Sequence, residues 1–271
     1  MTVCLAAICD DAKKIVVGAD RMLSSGMLSL EFEPPRSKIV KLSDSCLMMT
    51  AGPALRDIDL QKFVTRELAA RAGVDVALIV EKVKEGYQEA RRKKIEDLYI
   101  KPRGLTLERY LAEARGLLPE VAMQIDEHLA TYDYGLEVLV AGVDGNGAHI
   151  YAVYNPGTAE CFDSLGYHSI GSGESHAAFI LIDTAHSHIR TLQETMWAVY
   201  HAKKNAESAP GVGQSEDFAV IGGDGILYLD KTSLDKLQEL YQEEAQNWEK
   251  WVKEVGPKVA AIPLPDRQKK T

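Results

Sequence analysis

The residue with the most unusual chemical potential stands second in the chain, in "MTVCLAAICDD". Methionine is usually removed when the next side chain is small, and its removal would leave Thr2 with a hydroxyl and a free α-amine. A hydroxyl beside its own amine base is one of the few arrangements that make a threonine nucleophilic. Other chemically capable residues sit at the ends of patterned segments. Asp20 and Arg21 close "VVGADR", Lys38 opens "KIVKLSD", Gly52 ends "MMTAG", and Ser172 lies in "GSG". Taken singly, each has an ordinary reading: a surface ion pair, a solvated lysine, a turn, a helix cap. Metal and disulfide chemistry find little support. Cys4, Cys9, Cys46 and Cys161 form no CxxC pair, and His186 and His188 lack ligand companions, so that histidine pair reads as a helix surface.

The elements that must position these residues follow from periodicity. "TVCLAAIC" and "IVVGAD" read as apolar strands joined by the turn "DDAKK". The prolines of "EPPRSK" force an extended connection. Two further strands end at Gly52. From Leu55 to about Leu129 the spacing is helical: one helix stops at Gly73, a second is broken by "KPRG", and a stripe from Leu107 to Leu129 forms a third, kinked at Pro119. Strands resume with "GLEVLVAGVD" and with two runs turned at "NPGT". Helices are expected from Ala177 to about Ala185 and from Thr191 to about Ala206. A hairpin turned at Gly223-Asp224-Gly225 follows. A last amphipathic helix from Ser233 carries Trp248 and Trp251 on one face and stops at Gly256-Pro257.

Bulk properties fit this picture. The 271 residues are 46% hydrophobic and 26% charged, enough to bury a full core. A net charge of -9 argues against a nucleic-acid partner, and "RRKK" (Arg91 to Lys94) reads as a solvated helix face. No apolar run is long enough for a membrane span and no signal segment opens the chain, so a cytoplasmic location is expected.

In their order and spacing these segments resemble proteasome β subunits and the bacterial HslV-type peptidases, among the N-terminal-nucleophile hydrolases. The resemblance covers Thr2 on a strand, "VVGADR", "SKIVKLSD", "MMTAG", the hairpin leading into "SIGSGES", and "DFAVIGGDGILYL". It implies an α+β fold, a four-layer αββα sandwich, as a single domain over 1–271 with a helical insertion at about 87–130 and a C-terminal helix and tail at about 233–271. It implies Thr2 as nucleophile, Lys38 beside it, Asp20 holding that lysine, Gly52 N–H as oxyanion donor and Ser172 as orienting hydroxyl. Ser24 would pair its backbone with an extended peptide, and Leu23, Thr50 and Ala54 would line an uncharged side-chain pocket. No metal or cofactor is needed. The implied partners are further copies in a ring, peptide or unfolded protein as substrate, and an ATPase unfoldase.

The chain departs from the family in three places. "NAESAPGVGQSED" lacks the proteasomal aspartate and serine, for which Glu207, Ser208 or Ser215 are the available substitutes. The helical block between Tyr87 and Leu129 is longer than the family's, and the helix with Trp248 and Trp251 extends past the usual end, suggesting core or subunit contact. Two alternatives stay open: an amidohydrolase of small amides, and a non-catalytic scaffold subunit that retains Met1.

Overall fold

The computed structural model describes residues 2–25, 30–53, 55–69, 75–113 and 116–262. It divides into two compact units, 1–228 and 229–271. The first holds two five-stranded antiparallel sheets, a two-stranded ribbon and six of the seven helices found among the described residues.

Sheet one has the order β10-β1-β2-β11-β12, with β1 Cys4–Cys9, β2 Lys14–Asp20, β10 Tyr167–Ile170, β11 Glu216–Gly222 and β12 Gly225–Tyr228. Every residue of β1 is buried, so this strand shows no polar alternation and reads as a continuous apolar run. Sheet two has the order β5-β6-β7-β8-β9, with β5 Val40–Ser43, β6 Cys46–Ala51, β7 Glu137–Asp144, β8 Gly147–Tyr154 and β9 Thr158–Cys161. The facing residues of both sheets form one core, in which Ile8, Val17 and Ile221 meet Leu47, Leu139 and Ile150. Leu47 is fully buried, and its truncation to alanine would cost about 2–5 kcal/mol. A ribbon of β3 Leu23–Ser25 and β4 Leu30–Phe32 follows β2.

Helices cover the remaining faces. α1 Asp57–Leu68 and α2 Val76–Ile95 pack Leu60, Val64, Ile79 and Val83 against Met48, Val138 and Val140 of sheet two. α5 Glu174–Asp183 packs on β10 and β1, and α6 Leu192–Ala206 packs on β1 and β2. The expected α6 start holds, because Thr191 and Glu194 form a reciprocal capping box.

Several details differ from expectation. α2 passes through a π turn, Glu96–Ile100, and a 3-10 turn, Lys101–Arg103, before left-handed Gly104 ends it. The stripe after it is two helices, α3 Leu107–Glu113 and α4 Pro119–Thr131. Pro119 starts α4 instead of kinking a longer helix, since the first helical position needs no N–H. This excursion has a small core of its own around Ile100, Tyr110 and Ile125. Arg91 is no solvated face. It donates to the Leu129 carbonyl at 2.9 Å, the Tyr132 carbonyl at 3.1 Å and Asn155 Oδ1 at 3.2 Å. His186 lies past α5, buried, with Nε2 3.0 Å from the Ile8 carbonyl. Gly73 lies outside the described residues.

The second unit is one helix, α7 Lys231–Ala260, capped by Asp230 accepting from Ser233 N at 2.8 Å. It continues through Gly256 and Pro257, although that proline removes one main-chain bond and crowds the carbonyl of the preceding turn. Trp248 and Trp251 are not core residues: they stack at 5.0 Å and are 63% and 50% exposed. The tail from 263 on lies outside the described residues.

Candidate active site

Thr2 lies two residues ahead of β1, a central strand, and is only 2% exposed. Its neighbour across β1–β2 is the end of β2, where the register pairs Cys4 with Ala19 and delivers Asp20 beside Thr2. Asp20 is fully buried, and it stays satisfied because five groups reach it. Oδ1 takes the Thr2 hydroxyl, Lys38 Nζ at 2.7 Å and Val3 N at 3.0 Å. Oδ2 takes Met22 N at 3.1 Å and Gly213 N at 2.9 Å. Lys38 Nζ also donates to the Thr2 hydroxyl oxygen. A buried carboxylate is tolerated when paired and hydrogen-bonded in this way.

On the other side of Thr2, its N–H donates to Ser172 Oγ at 3.1 Å, and Gly173 N donates to its carbonyl at 3.1 Å. Gly171, at φ +94°, leaves room for that carbonyl, which a Cβ would strike. Gly171 N is held by Glu137 Oε2 at 2.7 Å. Burial, followed by the charge of Glu137, raises the pKa of neighbouring Glu174. The nearest thiol, Cys4, is pushed up to about 12, chiefly by burial, so it stays protonated and does not compete as a nucleophile.

A cleft opens from Thr2 and Lys38, lined by Leu23, Thr50, Gly52 and Leu136 among others. Gly52, at φ +136°, ends β6 where only glycine fits, because a Cβ would collide with the Gly135 carbonyl. Thus Thr2, Lys38, Gly52, Leu23 and Thr50 line one cleft, and Asp20 and Ser172 hold Thr2 from outside it. Ser24 lies one residue on in β3, opposite Glu31. Ala54 lies outside the described residues. The cleft is not uncharged as expected: Arg36 and Asp57 also line it, paired at 3.3 Å. Their segment, next to the prolines, carried no pattern that placed it there.

None of the proposed substitutes from "NAESAPGVGQSED" stands at Thr2. Glu207 binds Lys203 and Lys204, Ser208 binds the Asn205 carbonyl, and Ser215 binds Glu33. The segment contributes main chain instead, through Gly213 N on Asp20 and the Pro210 carbonyl 3.4 Å from Ser172 Oγ. Among the described residues, no group of three or more His, Cys, Asp or Glu is arranged to hold a metal ion, and no helix is long and apolar enough to cross a membrane.

No protein-family model matches the chain, and a search of curated proteins returns no match.

Proposed function

We propose that the chain is a threonine-dependent peptidase of the proteasome β type, with the four-layer αββα sandwich of the N-terminal-nucleophile hydrolases. One observation carries the reading: the Thr2 hydroxyl touches both Asp20 and Lys38 at the head of a buried central strand and faces a cleft bordered by Gly52. The shared core between the sheets, with helix pairs on their outer faces, supports the fold.

In this mechanism, removal of Met1 frees the α-amine. Thr2 Oγ1 attacks the scissile carbonyl and its proton passes to that amine. An α-amine has a pKa of about 8, and the Lys38 cation beside it favours its neutral, basic form. The oxyanion is held by the Gly52 N–H. Collapse breaks the C–N bond, and the departing amine takes the proton from the ammonium. Water, deprotonated by the same amine, then attacks the Thr2 ester, releasing a carboxylic acid and restoring the hydroxyl. Substrate backbone would pair with β3, whose second edge is bonded to no strand among the described residues. The apolar side chains of the cleft favour apolar substrate residues, with Arg36 and Asp57 beside them.

The test is intact mass after incubation with a peptide epoxyketone, which reacts with a free α-amine and its adjacent hydroxyl. The expected result is a chain lacking Met1 and carrying one inhibitor, absent in Thr2→Ala. An unlabelled chain that keeps Met1 overturns this in favour of a scaffold. The homo-oligomeric ring is part of the same reading; sedimentation velocity checks it, and a monomer would remove that part.

A further inference from the structure

The proposed chemistry leaves a fully buried cation without a role. Lys203, on α6, has no exposed surface. Its Nζ donates to Glu207 Oε1 and Glu216 Oε2, each at 2.6 Å, and to the Gln214 carbonyl at 2.9 Å. Lys204 reaches the same two carboxylates at 2.7 and 3.6 Å, so each carboxylate faces two lysines. Burying these charges is tolerable only because each is paired.

The partners share a place in the chain. Glu207 opens the segment between α6 and β11, and Gln214 and Glu216 close it. A single ammonium therefore ties both ends of residues 207–216. From the other side, Glu33 accepts from Ser215 N at 3.0 Å and from its hydroxyl.

The tied segment reaches the Thr2 centre twice, both times with main chain. Gly213 N–H binds Asp20 Oδ2 at 2.9 Å, and the Pro210 carbonyl lies 3.4 Å from Ser172 Oγ, sharing that hydroxyl with the Thr2 carbonyl at the same distance. Asp20 Oδ1 is already engaged with Thr2, Lys38 and Val3 N, so Gly213 and Met22 are the groups that hold its other oxygen. Ser172 is the hydroxyl that meets Thr2 N. A main-chain group cannot be re-aimed by its own side chain; its direction is set by whatever holds its loop.

We propose that Lys203 is a positioning residue for the Thr2 centre: by closing 207–216 it aims Gly213 at Asp20 and Pro210 at Ser172. Its catalytic consequence rests on the peptidase reading above.

The test uses the full chain with Met1 removed, as wild type, Thr2→Ala, Glu207→Gln and Lys203→Met. Two quantities are read: kinact and KI for a peptide epoxyketone, and amide hydrogen exchange at Gly213. Glu207→Gln cuts one tie and leaves Lys203 paired with Glu216, so it decides the matter if Lys203→Met does not fold. The expected result is faster exchange at Gly213 with β1 and β2 still protected. Alongside it, kinact falls by about 10- to 100-fold while KI stays within about twofold, as a misaimed centre requires. Unchanged kinact, a loss confined to KI, or unchanged Gly213 protection overturns the proposal. Absence of Thr2 labelling in the wild type would sink the peptidase reading instead. Exchange at Gly213 would then test the tie by itself, and unchanged protection would overturn it.

Discussion

Lys38 Nζ lies 2.7 Å from Asp20 Oδ1, and both groups touch the Thr2 hydroxyl. Removing the lysine alone strands a carboxylate with no exposed surface. Lys38→Met should therefore destabilise the fold by about 3–5 kcal/mol. The double variant Lys38→Met/Asp20→Asn removes the unpaired charge but leaves a main-chain N–H facing an amide NH2, so it should recover part of that loss in urea unfolding while hydrolysing no fluorogenic peptide. A double variant as unstable as the single one would mean that the pair is not the source of the cost.

Gly52→Ala tests the turn that faces Thr2. Its φ of +136° and the Gly135 carbonyl exclude a side chain. The expected cost is about 1–3 kcal/mol in stability. Alanine keeps the N–H but the forced backbone shift turns it from the oxyanion, so kcat for peptide hydrolysis should fall by about 100-fold or more. An alanine variant with unchanged kcat would remove Gly52 from the oxyanion role.

His149 gives a pH dependence of stability. Its Nδ1 is 2.7 Å from Asp163 Oδ2 and its Nε2 is 3.3 Å from Asp144 Oδ1. Burial lowers its pKa, but the hydrogen bond and charge of Asp163, with Asp144, outweigh burial and leave it raised. A raised folded-state value means that the protonated form stabilises the fold. The contribution is complete below the unfolded value of about 6.5 and is lost as pH climbs through the higher folded value. His149→Gln should therefore cost more stability at pH 6 than at pH 9. Equal costs at both would remove the charge from the explanation.

Thiol reactivity should separate cleanly. Cys4, Cys9 and Cys46 are buried, whereas Cys161 is exposed. Iodoacetamide at pH 8 should alkylate Cys161 alone in the native chain and leave Thr2 labelling intact. Loss of Thr2 labelling on alkylation would point to a thiol in the site.

Much of the fold is visible in the sequence because its strands are short apolar runs separated by strong turn residues, as in "TVCLAAIC" and "CLMMTA". Helix ends near proline are not set by the proline alone. The same residue starts α4 at Pro119 and is carried within α7 at Pro257, and only the surrounding chain decides which. The side chains gathered at Thr2 could be marked from their types and segment ends. The groups that hold Asp20 by its second oxygen could not. Met22 and Gly213 act through main-chain N–H, which carries no residue signature. Arg91 and His186 read as surface in the sequence because their partners are carbonyls far along the chain.

Arg91 also fixes how the chain can be rebuilt. It grips the Leu129 and Tyr132 carbonyls where the helical excursion returns, and Asn155 beside them. With Ile100, Tyr110 and Ile125 packed into a separate small core, the described residues from the π turn to α4 form a cassette that the Arg91 guanidinium ties back at its return. No strand of either large sheet lies between Glu96 and Thr131 among the described residues, so a reporter inserted after Gly104 is expected to leave the register of both sheets unchanged.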